Sequence, residues 1–171
     1  MRLIVGYTTS KHLCIDLDDT YLYKVIMLVC HLIYNYPEIG KAQIMESSPQ
    51  KGTEYVKINR HGIPRIHIPK PSYHVIFDND IGYEKCWHII QTLIDLGIQP
   101  TQVRQIRARR RDMTLRVSPS VYSTGIKPPP KPIMQILDIY DWHTDGMIRQ
   151  YHKFRHRVND FFKRVGYEDP S

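Results

Sequence analysis

Two stretches with apolar residues at helical spacing, 21–36 and 83–96, stand among short runs of strand-like alternation, and this order limits the fold more than any other feature. Residues 13–17 read as a strand, 21–36 as a helix, 41–46 and 72–77 as strands, 83–96 as a helix stopped by Gly97, and 113–118 as a strand. Asp18, Asp19 and Thr20 are placed to cap the first helix, and Pro37 and Gly40 to end it. Trp87, Ile90, Leu93 and Ile94 mark the inward side of the second. Residues 2–6 and 103–110 are further strand candidates. Segments 53–59 and 64–68 flank Arg60-His61-Gly62 and predict a hairpin that alternates Val56, Ile58, Ile66 and Ile68 with charge.

Strand, helix, strand, strand, helix, strand predicts an α+β fold: an RRM-like mixed or antiparallel sheet with helices packed on one face, the other face left open for polar groups, and the hairpin inserted midway. Gly125-Ile-Lys-Pro-Pro-Pro-Lys-Pro132 reads as a polyproline-like connector over 127–132. It leads to a C-terminal unit, 133–166, with an extended piece and a helix over 145–165 whose packing face is Phe154, Val158, Phe161, Phe162 and Val165. With 171 residues and 42% hydrophobic content, one domain over 1–171 is expected, its core at about 2–126.

Within the first strand, alternation directs Leu13, Ile15 and Leu17 to the core and puts Asp16 and Asp18 together on the opposite face. Paired carboxylates repel each other, and Mg²⁺ or Mn²⁺ removes that repulsion while offering phosphoryl chemistry. Ser72 and His74 alternate in the same way on the strand at 72–77, so that His74 faces the carboxylates. On the strand at 113–118, Arg116 and Ser118 point outward between Leu115 and Val117, supplying a cation for phosphate.

The formal charge of +7 favours a polyanionic partner, nucleic acid first. Lys51, Lys57, Arg60 and Arg65 in and beside the hairpin, with Arg107, Arg109 and Arg111, flank the acidic site as a template track. Cys14, Cys30 and Cys86 show no paired spacing, which predicts neither a disulfide framework nor a zinc site. Cys86 and His88 splay apart on a helix and read as structural. With no signal-like or membrane-length run, a soluble, cytoplasmic protein in a reducing compartment is expected.

Taken together, Asp16-x-Asp18, Ser72-x-His74 and the Arg116 strand leading into Ser118-Pro-Ser-Val-Tyr-Ser-Thr-Gly125 resemble the catalytic core of the archaeo-eukaryotic primase superfamily, the primase-polymerases. The resemblance implies a DNA primase or polymerase activity in replication or repair, with two divalent metals, Mg²⁺ or Mn²⁺, at Asp16 and Asp18. It implies nucleotide triphosphate at Ser72, His74 and Arg116, a single-stranded DNA or RNA template, and a helicase or other replication protein as companion. The family's third carboxylate maps to Asp112, because 103–111 carries no acid; a further family histidine is replaced by Tyr122, and the zinc element of larger primases is missing.

A catalytically silent relative that only binds nucleic acid is the first alternative. Another is a haloacid dehalogenase-type phosphohydrolase, which Ile15-Asp-Leu-Asp-Asp-Thr20 also resembles, with Asp16 as nucleophile and Asp18 as general acid. A rolling-circle initiator ranks below both. It needs a His-hydrophobic-His motif, of which only His67 is present, and a nucleophilic tyrosine such as Tyr151.

Overall fold

The computed structural model describes residues 6–48, 55–68, 70–98, 100, 113–122, 125–136 and 147–166. The chain runs β1 (Gly6–Thr9), β2 (His12–Leu17), α1 (Leu22–Asn35), a 3-10 turn (Pro37–Ile39), β3 (Ala42–Ser48), β4 (Tyr55–Ile58), β5 (Pro64–His67), β6 (Ser72–Asp80) and α2 (Tyr83–Asp95). After these come β7 (Met113–Arg116), β8 (Ser120–Tyr122), β9 (Gly125–Lys127), β10 (Lys131–Ile136) and α3 (Met147–Arg164).

The main sheet is four-stranded in the order β10-β3-β6-β2, and each neighbouring pair is antiparallel. β2 and β3 both pair with β6, as the predicted α+β order requires, and β7 packs beside β2 while pairing with β1. The fold is α+β with antiparallel sheets and helices packed on the sheet. Every described strand pair is antiparallel. The doubly wound parallel sheet needed by the phosphohydrolase alternative is therefore not the sheet described.

β6 is central, and its residues from Ser72 to Asp78 are all buried. Val75 pairs with Ile15 and Ile44 on one face, within the same hydrophobic cluster as Val25, Val29 and Leu32 of α1 and Cys86, Ile89, Ile90 and Leu93 of α2. Those helical positions recur three and four apart, which is why both segments fold as amphipathic helices. Trp87 and Ile94 are only partly buried at the rim of that stripe.

The other face, with Cys14, Asp16, Gln43, Met45, His74, Ile76 and Asp78, was expected to be open. It is covered in part by α3. The main-chain N–H of Ile148 donates to Asp78 Oδ1 at 2.8 Å, His152 Nε2 lies 3.3 Å from Gln43 Oε1, and the Tyr151 and Phe154 rings pack against Tyr7 at 5.6 and 5.5 Å. The apolar stripe of α3 is Met147, Ile148, Tyr151, Val158 and Phe162, and it needs a surface to bury against. Phe161 and Val165, predicted on that stripe, are exposed.

The Pro-rich segment is not a free connector. Residues 125–127 pair with β8, and β10 forms an edge of the main sheet beside β3. Pro132 is tolerated there because an edge strand leaves one row of hydrogen-bonding groups unpaired, and the register shifts between Pro132 and Met134. The predicted cap of α1 is also absent: Tyr21 occupies the N-cap position with no side-chain hydrogen bond. After α1, Gly40 turns the chain at φ 77° and ψ −163°, a region open essentially to glycine. Its missing side chain leaves room for the Asn79 carboxamide, which donates to Glu38 O at 3.1 Å.

Candidate functional site

Antiparallel pairing of β2 with β6 sets Asp16 directly opposite His74, and His74 in turn opposite Met45 of β3. His74 Nε2 lies 3.5 Å from Asp16 Oδ1. The His74 side chain is 5% exposed and that of Asp16 21%, so the pair sits at the rim of the core with the carboxylate nearer solvent. Two of the predicted residues are thus brought together by a single register. Asp18 lies one residue beyond the end of β2 and is exposed, so the strand pleat that orients Asp16 does not govern it.

Mg²⁺ and Mn²⁺ accept one or two protein carboxylates and keep several waters. Asp16, with Oδ1 turned inward and part of the side chain exposed, and the exposed Asp18 fit that requirement. Among the described residues no group of three or more His, Cys, Asp or Glu side chains is placed to hold a metal by protein ligands alone. Asp112 lies outside the described residues.

Ser72 is buried, and its Oγ accepts a hydrogen bond from the Asp19 N–H at 3.3 Å. This bond belongs to a knot that sequence reasoning missed. Asp19 adopts a left-handed φ of 53°, which Asp tolerates better than most residues. Its Oδ1 accepts from the Lys70 N–H at 2.9 Å, its Oδ2 lies 3.3 Å from His67 Nε2, and the Thr20 N–H donates to Pro71 O at 2.9 Å. The loop after β2 is thereby tied to the outgoing arm of the hairpin. The signal available in sequence is a second acid directly after Asp18, just beyond a strand, a position that also suits helix capping.

Arg116 does not point outward to solvent as predicted. Its guanidinium donates to Pro128 O at 2.8 Å, to Ser47 O at 2.7 Å and to Ser118 O, joining β7 to the end of β3 and to the Pro-rich segment. Ser118, predicted outward, is fully buried. A planar fork with five donors suits several carbonyls at once, which gives this side chain a structural job in the fold.

Arg60 and Arg65 are exposed on the hairpin, where β4 and β5 pair antiparallel as predicted. Lys57 lies on β4, opposite Arg65. Lys51, Arg107, Arg109 and Arg111 lie outside the described residues. Tyr151 is fully buried and burial pushes its hydroxyl well above the usual range, so it is no accessible nucleophile of the initiator type. Cys86 is buried too, its thiol pushed up to about 12 by burial, with Sγ donating to Lys11 O at 3.6 Å. Cys14, Cys30 and Cys86 form no disulfide, and no helix among the described residues is long and apolar enough to cross a membrane.

A second unforeseen feature is Asp78, whose side chain is fully buried between the Ile148 N–H of α3 and Lys41 Nζ, 3.5 Å away. No family model, curated protein or solved structure matches the chain.

Proposed function

We propose that the corner formed by Asp16, Asp18 and His74 is the phosphoryl-transfer site of a primase-polymerase-like nucleotidyltransferase, working inside the cell on a single-stranded DNA or RNA template. The observation that carries this reading is the register that sets Asp16 opposite His74, because it joins the two sequence motifs across adjacent strands at a partly exposed edge of the core. The reaction is attack of a 3′-hydroxyl on the α-phosphorus of a nucleoside triphosphate, with pyrophosphate leaving. Asp16 and Asp18 are the residues to hold Mg²⁺ or Mn²⁺. Such an ion, when bound, supplies charge neutralisation at the phosphates and a more acidic hydroxyl nucleophile.

His74 is a positioning residue in this scheme: nearly buried, it acts through Asp16 by fixing the carboxylate's orientation. Ser72 has the same kind of role, holding the Asp19 main chain and with it the loop that carries Asp18. Arg60 and Arg65 supply cationic contacts for template phosphates along the hairpin.

A second reading, a non-catalytic nucleic-acid-binding module of the same fold, is favoured by the exposed Arg60 and Arg65 of the hairpin, which can meet phosphates without a metal. The deciding experiment is nucleotide incorporation on primed and unprimed single-stranded templates with Mg²⁺ or Mn²⁺, comparing the natural chain with Asp16→Ala/Asp18→Ala. Metal-dependent product that disappears in the double variant, with strand binding retained, is the expected result. No product from the natural chain, with strand binding intact, refutes turnover and leaves the binding module.

A further inference from the structure

Where the loop after β2 enters α1, two tyrosine rings stack on each other in the open. Tyr21 and Tyr23 have centroids 5.7 Å apart and planes inclined by 16°, and they are 40% and 57% exposed. Large aromatic rings left in water normally find cover, and these two cover only part of each other. Lys70 Nζ sits 5.0 Å from the Tyr21 centroid, while the Lys70 N–H is bound to Asp19, so the pair is fastened to the loop that bears Asp18. Lys24 is exposed one position beyond Tyr23.

We infer that Tyr21 and Tyr23, with Lys70 beside them, form a stacking platform for unpaired bases of a single-stranded nucleic acid lying beside the Asp18–Asp19 loop. A flat ring stack extended by further flat rings, with an ammonium at its side, matches the chemistry of a strand whose bases are splayed out and whose phosphates run past. Lys70 supplies both a cation–π contact to the stack and a charge for the backbone. The Asp19 carboxylate, next to the platform, is already engaged by the Lys70 N–H at 2.9 Å and faces His67 Nε2 at 3.3 Å. A basic protein partner would be repelled here, because the neighbouring hairpin exposes Arg60 and Arg65. The inference rests on the nucleic-acid part of the proposed function and is independent of turnover.

The test is binding of a labelled single strand of about 12 nucleotides, and of the same backbone carrying abasic sugars, measured by fluorescence polarisation over a salt series. Tyr21→Ala and Tyr23→Ala, checked for native circular dichroism, should each weaken the base-bearing strand on the order of 5- to 100-fold and leave the abasic strand unaffected. Tyr21→Phe and Tyr23→Phe should stay close to the natural chain, and the salt slope should not change because no charge is removed. The inference is overturned if the alanine variants bind like the natural chain, if they lose affinity equally for the abasic strand, or if their only effect is on sedimentation, which would mark a protein interface. Strand binding with this tyrosine dependence but without nucleotide incorporation supports the platform and removes turnover. Failure of the natural chain to bind any strand overturns both.

Discussion

Replacing Asp78 should unseat the C-terminal helix. Its carboxylate accepts a 2.8 Å hydrogen bond from Ile148 N–H in the first turn of α3 and lies 3.5 Å from Lys41 Nζ, with its own side chain fully buried. Negative charge at a helix N-terminus is favourable, and here it is also the anchor between α3 and β6. In Asp78→Ala a buried amide loses its acceptor and Lys41 loses its counter-charge. Breaking a buried pair by removing one partner costs about 3–5 kcal/mol. Lys41 keeps 19% of its side chain exposed and can lift its ammonium toward water, so the lower end, about 3 kcal/mol, is expected. Asp78→Asn retains an oxygen for Ile148 and should cost about 1–2 kcal/mol. Adding Lys41→Met to Asp78→Ala should recover part of the loss, because no unpaired ammonium is then left behind. Urea unfolding followed by far-ultraviolet circular dichroism measures all three. A loss below about 1 kcal/mol for Asp78→Ala, or a double variant no more stable than the single, refutes the anchor.

Arg116→Ala should destabilise the fold by about 2–4 kcal/mol, since several carbonyls lose a charged donor. Arg116→Lys should recover little of it in thermal melts, because one ammonium cannot reproduce the guanidinium fork. Near-natural stability of the lysine variant would argue against the clamp. The pH response follows from His152, whose imidazole is held below its usual value by burial first and then by Arg155 and His156; burial acts likewise on His12. A histidine with a depressed folded-state value binds fewer protons folded than unfolded. Stability is therefore complete above the ordinary value of 6.5 and falls as the pH drops through it toward the folded-state value. The urea midpoint should drop between about pH 7.5 and about pH 5.5, and His152→Gln should narrow that drop; an unchanged difference would remove His152 as a cause.

Much of the architecture can be read from local pattern. The spacing of Val25, Val29 and Leu32 and of Cys86, Ile89, Ile90 and Leu93 specifies two amphipathic helices from chain chemistry alone. Gly97, at φ 83°, marks the stop of the second, and the Arg60-His61-Gly62 turn, with Gly62 at φ 75°, marks the hairpin. The Asp16 and His74 alternation was legible for the same reason: side chains two apart on a strand share a face whatever the rest of the chain does.

What pairs with what is a different kind of information, because hydrogen-bond register, edge pairing and layer covering depend on groups far apart in sequence. Pro128 to Pro130 look like a connector until Arg116 and Arg155 donate to carbonyls of that stretch and β10 closes on β3. Arg116 and Ser118 look outward by alternation, yet tertiary contacts draw the guanidinium to Ser47, Pro128 and Ser118 carbonyls and bury Ser118. Asp19 looks like a helix cap, but its carboxylate is taken by Lys70 and His67, some fifty residues downstream. Local periodicity sets which face a side chain occupies; only the packed chain determines whether that face meets water, a neighbouring strand or α3, because burial and charge pairing are properties of the assembled layers.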